Sequence, residues 1–361
     1  MDLTVFYLSD SSIRGGFDPG FGRNVAWDLP LLKGYKSVFL KRESQPERRW
    51  SLAIPGPVEL FKREKFDCVM IPGYSRPFEW QVLLTAKRLG VKVIMRGEFA
   101  PSSGKNPFKR VIRRVLLSFL YRQVDAFAVI GTQARRHLVE HGVRPERMAS
   151  SPYAVDPGLF SKRNDAGKTV ALRKEMGFNS RDKVVLFSGK LIPRKRPETL
   201  IEAIGKLSAH PEIKALLLGD GKSRQSLKAL ADRVAPNRVR FAGFVNQTKL
   251  KDYFALADVF VLPSEYETWG LVVNEAMHCG LPVMASNMVG CIEDLVAPRI
   301  NGYVFPVGDS TTLASNLKDI FQPPQKIKKY SRASRKRIAR FTPPLAAKGI
   351  RESIALALET K

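Results

Sequence analysis

The sequence predicts an α/β protein made of two similar domains, each a parallel sheet covered by helices. Three observations carry this expectation. Short apolar runs rich in β-branched and aromatic residues alternate with amphipathic segments of helix length. The alternation breaks once, at a Pro-, Gly-, Asp- and Ser-rich stretch over 150–169, and then restarts. The chain, at 361 residues and 44% hydrophobic composition, is also longer than one compact core usually needs.

In the first half, "LTVFYLS" (3–9), "FDCVMIPG" (66–73), "VKVIMRG" (91–97) and "AFAVIGT" (126–132) read as buried strands. "EWQVLLTAKRLG" (79–90) reads as a helix closed by Gly90. After the break come strands at 183–190, 213–221, 239–245, 258–264 and 281–286, with helices at 197–209, 222–235 and 248–257 between them. "PPLAAKGIRESIALALE" (343–359) reads as a last helix. Strand–helix–strand alternation implies parallel sheets buried on both faces. Ligands of open α/β sheets sit beyond the carboxyl ends of the strands, so the loops there are where chemistry is sought.

Bulk properties exclude several classes. No internal repeat or low-complexity tract is present, and no apolar run is long enough to cross a membrane without interruption. "MDLTVFYLSD" lacks the basic start of a secretory signal. Cys68, Cys279 and Cys291 are scattered, without metal-binding or disulfide spacing, which fits a reducing cytoplasm. The net charge is +26, and 26 basic against 15 acidic residues fall within 1–160 alone. The excess is therefore spread over both halves. It suits nucleic acid, an anionic membrane face or anionic small substrates, and equally a plain solubility setting.

The stretch "SEYETWGLVVNEAMHCGLPVMAS" (264–286) holds Glu267 and Glu275 on either side of an apolar run. A helix from near Gly270 to about His278, ended by Gly280 and Pro282, would present free N–H groups and partial positive charge at its start. Gly270 would let a phosphate approach the backbone. On this view the helix start takes a nucleotide diphosphate, and the two carboxylates take ribose and sugar hydroxyls. Glu near a helix start can also simply favour the dipole, which is the stronger alternative for Glu267 taken alone. A carboxylate in an apolar run is costly without partners, so Glu275 fits that alternative less well.

"FSGKLIPRKRPETL" (187–200) follows a strand with Gly189 and brings Lys190, Arg194, Lys195 and Arg196 together, as a phosphate clamp would. A solvated basic loop gives the same pattern. No G-x-x-x-x-G-K-[ST] loop, H-E-x-x-H helix, G-x-S-x-G elbow or D-x-D pair occurs. His137 and His141 share a helical spacing at a basic helix end, where a solvated terminus explains them better than a metal. Metal-free chemistry on a phosphorylated ligand is what these motifs leave.

The second half resembles the retaining family 4, or group 1, glycosyltransferases of the GT-B fold. The matching pieces are "FSGKLIPRKRPETLIEAI", "LLLGDG", "FAGFV", "ADVFVLPSEYETWGLVVNEAMHCGLPVMAS" and "VGCIEDLVAPRINGYVFPVGD", in order over about 183–309. The resemblance implies two Rossmann-like domains facing a cleft. These are an acceptor-side domain over 1–155 and a nucleotide-sugar-binding domain over 156–342, with a terminal helix over 343–361 that crosses back to the first. It also implies roles. Glu275 would bind the ribose and Glu267 the donor sugar, while Gly270 and Leu271 would offer N–H groups to the diphosphate. Trp269 stands where phenylalanine is commoner. Lys190 and Lys195 would neutralise the leaving diphosphate, with Gly189 as the turn beside it and Arg194 among the donor-binding residues. Phe244 and Val245 would lie near the base. Arg196 stands where the family usually has glycine.

The implied activity is transfer of a hexose from a nucleotide-sugar to a glycan or lipid-linked acceptor, with retention and without a metal or other cofactor. A bacterial surface-polysaccharide pathway is the expected setting, because "MRGEFA" and the "FDPGFGR…WD" loop (17–28) resemble segments of such relatives. Arg96 and Glu98 are then candidates on the acceptor side, with a simple Arg96–Glu98 loop pair as the alternative for Glu98. Family members usually carry one more strand and a glycine-containing loop ahead of the strand at 3–9, so the first strand–helix unit is expected to be missing here. A nucleotide-sugar enzyme of another reaction type on the same fold, such as an epimerase or phosphorylase, is one alternative, and a non-catalytic or truncated relative that binds nucleotide-sugar or polyanion is another. "NPFKRVIRRVLLSFLYRQVD" (106–125) reads as a basic amphipathic helix, suited either to core packing or to an anionic membrane surface. Peripheral attachment to the inner face of the plasma membrane would reconcile it with the charge. Nucleic acid ranks last as a partner, since no recognition motif accompanies the charge.

Overall fold

A computed structural model of the chain describes residues 1–8, 10–40, 57–99, 107–160 and 166–359. Ser9, at the end of the first expected strand, residue 106 of the basic segment, residues 161–165 of the expected linker and the side chain of Lys109 lie outside the described set. The chain divides into two compact units. Met1–Ser11, Gly34–Ala154 and Phe341–Lys361 form one, and Ser12–Lys33 with Val155–Arg340 form the other.

The described strands of the first half are β1 (Thr4–Tyr7), β2 (Gly16–Asp18), β3 (Arg23–Val25), β4 (Lys36–Phe39), β5 (Cys68–Ile71), β6 (Lys92–Met95), β7 (Ala126–Val129) and β8 (Met148–Ser150). Those of the second half are β9 (Lys183–Ser188), β10 (Ile213–Leu218), β11 (Val239–Gly243), β12 (Val259–Leu262), β13 (Val283–Ser286) and β14 (Gly302–Phe305).

In the first unit β5, β6, β7 and β8 form a parallel sheet in that order, and β1 pairs in parallel with β4. The helix Pro77–Arg88 starts at a proline, where a missing N–H costs nothing. Its Glu79 carboxylate accepts from the Arg76 N–H at 3.0 Å, which satisfies a donor at the helix entrance. Val82, Leu83 and Ala86 form its buried face. The last helix, Pro343–Glu359, packs on β6, β7 and β8. Its Ala357 joins a buried cluster with Ile94, Ala126 and Ala128, and the Ser151 hydroxyl donates to the Ala346 carbonyl at 3.0 Å.

The second unit is a six-stranded parallel sheet in the order β11–β10–β9–β12–β13–β14. Strands β9, β10, β12 and β13 are buried along nearly their whole length, which is why they read as continuous apolar runs and not as alternating ones, while the edge strand β11 is only partly buried. Phe187, Leu200, Ile204, Leu217, Val261 and Phe305 belong to one core beneath it. The chain runs outward from β9 to β11 and then returns to place β12 on the other side of β9. The strand order therefore reverses between β9 and β12, and the loops that follow these two strands flank the switch point where such sheets bind ligands.

Residues 12–33 were expected in the first domain and pack instead with the second unit. The antiparallel hairpin β2–β3 is held there by an ion pair from Asp18 to Lys190 and by an edge contact of Phe21 on Phe244. Asn246 Nδ2 donates to the Ala26 carbonyl at 2.8 Å, and the Thr248 N–H donates to Asp28 Oδ1 at 3.2 Å. No periodicity in the sequence announces such docking, because all of these contacts bridge more than 170 residues.

Candidate functional site

The loop after β12 is built around Gly270, whose φ of 97° is a left-handed conformation that glycine adopts without strain. Space is also limiting there. A Cβ on Gly270 would lie 3.1 Å from Leu262 Cδ2 and 3.3 Å from Val289 Cγ1. The helix Leu271–His278 begins directly after this turn, and its first-turn N–H groups lack intrahelical acceptors. With the helix dipole they make an electropositive start.

Trp269 is only 2% exposed. Its indole N–H donates to Asn274 Oδ1 at 3.0 Å, and its carbonyl accepts from the Cys291 N–H at 3.1 Å. The side chain thus anchors the turn. Glu267 is fixed in the same way. Its N–H donates to the Met288 carbonyl at 3.2 Å, and its carbonyl accepts from the Gly290 N–H at 2.8 Å.

The loop after β9 meets this one at the switch point. Lys195, in the short 3-10 turn Pro193–Lys195, forms a close ion pair with Glu267 Oε2, and both side chains are largely buried. The Ser264 hydroxyl reaches the same Glu267 oxygen at 3.5 Å. Arg194 Nη1 lies 3.8 Å from Glu267 Oε1 and donates to the Tyr266 carbonyl at 2.8 Å. The Glu265 N–H returns a bond to the Arg194 carbonyl at 2.9 Å. Arg196 adopts φ 47°, a left-handed conformation that costs a residue with a Cβ about 1–2 kcal/mol. The turn therefore keeps the geometry a glycine would supply even though the residue differs. Its guanidinium pairs with Glu198 Oε1 at 3.6 Å.

Glu275 lies on the fifth residue of the helix and is partly buried. Its carboxylate has no hydrogen-bond or ion-pair partner among the described residues. Burial alone pushes its pKa up to about 8. Lys190 has its own carboxylate partner, Asp18. Its Nζ sits 2.9 and 2.8 Å from the two Asp18 oxygens and 5.0 Å from the Phe21 ring centroid. Phe244 is flanked by Phe21, with ring centroids 5.0 Å apart, and by the Arg23 guanidinium at 4.9 Å. Val245 is partly buried beside it, and Leu271 is 40% exposed. Gly189 ends β9 against the neighbouring strand, where a Cβ on Gly219 would lie 1.9 Å from its carbonyl oxygen.

The structure thus brings Arg194, Lys195, Glu267, Gly270 and Leu271 to one pair of loops. The acceptor-side candidates belong to the first unit. Arg96 Nε donates to Ser151 Oγ at 3.2 Å, and its guanidinium lies 4.8 Å from the Tyr153 ring centroid. Glu98 is exposed and hydrogen-bonds the Tyr153 hydroxyl, whose pKa rises to about 12 through burial and the nearby carboxylate. Reading the sequence missed Asp18, Phe21 and Arg23 as neighbours of the site. The one available signal was the D-P-G turn in "FDPGFGR". Ser264 and Asn274, which orient Glu267 and Trp269, gave none. Among the described residues no group of three or more His, Cys, Asp or Glu side chains is placed to hold a metal ion.

Glu275 generates a pH prediction. Its folded pKa of about 8 exceeds the ordinary 4.5, so the native state holds a proton that the unfolded chain has released. This contribution to stability is complete below pH 4.5 and is lost as pH rises through 8. Glu275→Gln removes the titration. Its melting temperature relative to the parent is therefore expected to rise between pH 5 and pH 8.5. A pH-independent difference in thermal melting would contradict the assignment.

Comparison with known proteins places the chain. Residues 169–337 match the family model described as glycosyl transferases group 1, and residues 25–154 match a glycosyl transferase 4-like domain. A D-inositol 3-phosphate glycosyltransferase of Segniliparus rotundus is 28% identical over 62% of this chain and 50% of its own length. An N-acetyl-alpha-D-glucosaminyl L-malate synthase of Bacillus anthracis is 30% identical over 49% of this chain and 46% of its own. The matched stretches span about half or less of the length of these curated relatives. Among solved structures, Anabaena HepE in complex with UDP and glucose superposes with a TM-score of 0.70, covering 89% of this chain and 86% of that one at 21% identity. That likeness speaks for the fold. The two glycosyl transferase matches, which together span most of the chain, show that it belongs to the group 1 glycosyltransferases, and the structural likeness shows that its fold is GT-B.

Proposed function

We propose that the protein transfers a hexose from a nucleotide-sugar to a glycan or lipid-linked glycan acceptor, with retention at the anomeric carbon and without a metal ion. The observation that carries this is the pairing of Lys195 with Glu267 beside the Gly270 helix start, with the unpartnered Glu275 carboxylate one turn further on. Names of relatives support it, since they include nucleotide-sugar enzymes such as a GDP-mannose-dependent mannosyltransferase. The UDP and glucose bound in a structural neighbour support it as well.

In this account the diphosphate rests on the N–H groups of Gly270 and Leu271. Lys195, Arg194 and Lys190 offset the charge that grows on the leaving phosphate, a fixed electrostatic stabilisation made before the reaction begins. Glu275 accepts hydrogen bonds from ribose hydroxyls, and Glu267 from the sugar. No side chain needs to act as a nucleophile. The departing phosphate oxygen takes the acceptor proton as the new glycosidic bond forms. Phe244 and Val245 border the base, and Arg96 and Glu98 serve the acceptor side.

One helix supports a lipid-linked acceptor. Pro107–Arg122 buries Leu117, Leu120 and Tyr121, yet exposes Phe108, Val111, Val115, Leu116 and Phe119 by 62–73% on its opposite face. Arg110, Arg113 and Arg114 are exposed on the same helix. An apolar stripe flanked by arginines suits an in-plane position at an anionic bilayer surface. No described helix is long and apolar enough to cross a membrane. A cytoplasmic protein attached to the inner face of the plasma membrane, working on a lipid-linked glycan of a surface polysaccharide, fits both the helix and the charge of +26.

Three experiments test this. Lys195→Ala should lower turnover of the nucleotide-sugar more than its affinity, since the interaction strengthens as charge develops. Glu275→Ala should weaken nucleotide binding by about 1.5–3 kcal/mol. Unaltered steady-state kinetics in both variants would remove the site. In flotation assays at physiological salt the protein should rise with anionic liposomes, and Val111→Asp with Leu116→Asp should leave it at the bottom. A parent protein that never floats contradicts the membrane placement.

A further inference from the structure

The hairpin β2–β3 lies on two residues that the proposed function assigns to the donor, and nothing in that function explains why. Asp18 puts both carboxylate oxygens on Lys190 Nζ, at 2.9 and 2.8 Å. The same carboxylate accepts from the N–H groups of Gly20 at 2.8 Å and Phe21 at 3.1 Å. It is a preformed anion held against a lysine, with the chemistry of a phosphate oxygen pair. Phe21 meets Phe244 edge-on at 5.0 Å, where a base would border that ring.

We propose that this hairpin is a latch on the donor site: the Asp18 carboxylate occupies Lys190, Phe21 covers Phe244, and a nucleoside diphosphate displaces both. The proposal rests on the reading that Lys190 and Phe244 serve the donor. Three features of the unit support release of the tip. Lys190 and Asp18 are 36% and 27% exposed, and partly solvated ion pairs of this kind hold weakly. A diphosphate carries more charge than one carboxylate and competes well for the same lysine. The base of the hairpin is fixed separately, by Asn246 on the Ala26 carbonyl and Thr248 on Asp28, so the tip can leave while the ends stay docked. Beside the tip is a cavity of about 530 Å³, bordered by Pro19, Phe21 and Arg23 on the hairpin and by Asp220 and Lys222 opposite, which gives the tip somewhere to go.

A latch lowers apparent donor affinity by the fraction of molecules in which the site is open. Removing its charge should therefore tighten binding. Asp18 keeps its negative charge at neutral pH, because the Lys190 and backbone hydrogen bonds outweigh the desolvation that would raise its pKa.

The test is calorimetric titration of UDP, GDP and ADP into the full chain, its Asp18→Asn variant and its Glu275→Ala variant. The nucleoside diphosphate that binds the parent best should bind Asp18→Asn about 3- to 10-fold more tightly, and Glu275→Ala more weakly. If Glu275→Ala weakens binding while Asp18→Asn leaves it unchanged or weaker, the latch is wrong and the donor site stands. If none of the three binds the parent, the donor site falls and the latch with it. Limited trypsin digestion of the unmodified protein gives an independent readout. The nucleotide that binds should speed cleavage after Arg23, and slower cleavage would overturn release of the tip.

Discussion

The left-handed turn at Gly270 is the constraint on which the candidate site depends. β12 delivers the chain to the switch point of the sheet, and the turn reverses it into a helix within a few residues. Side-chain bulk at that position would press on Leu262 and Val289. Because the turn is sharp, Glu267 stays in the loop at the mouth of the helix and Glu275 falls inside it. Buried Trp269, bonded to Asn274, pins the turn from below. The spacing of the two glutamates thus follows from one glycine and one tryptophan.

The electrostatics of the site are uneven in an informative way. Lys195 and Lys190 are each already paired, with Glu267 and with Asp18. Among the described residues Glu275 has neither cation nor donor, and its raised pKa records the cost of its burial. Local stability would favour a partner or an apolar residue at position 275. A group kept in such a place is most simply understood through a ligand that supplies the missing donors. In the same way, Arg196 accepts a left-handed backbone where glycine would do so freely. The loop geometry is therefore held by its neighbours, Pro197 and the Lys195–Glu267 pair among them, and not by the preference of the residue itself.

Much of the second unit was legible because its strands are buried on both faces. Runs such as "VVLFS" and "ALLL" are continuous, and glycines or prolines end them. The expected helix from Gly270 to His278 differs from Leu271–His278 by a single residue. Shorter elements escaped. β2, β3 and β8 have only three residues, too few for any period to emerge, and β4 has four without the long apolar run that marks the other short strands. β14 was quoted only within a motif, although "NGYVF" carries a turn and a strand. At the site, Lys195 and Glu267 were legible as a pair of chemical types but not as a contact, since they are 72 residues apart. The placement of 12–33 was not legible at all. It rests on contacts between a short hairpin and the ends of β9 and β11, and neither partner's sequence shows the other.

The central claim is that the helix start at Gly270 is the diphosphate site. Selective 15N labelling of glycine and leucine allows the amides of Gly270 and Leu271 to be followed during titration with the nucleoside diphosphate that binds. The account predicts that both resonances shift and saturate together, with the dissociation constant found calorimetrically. A nucleotide that binds while these two amides stay unmoved would contradict it.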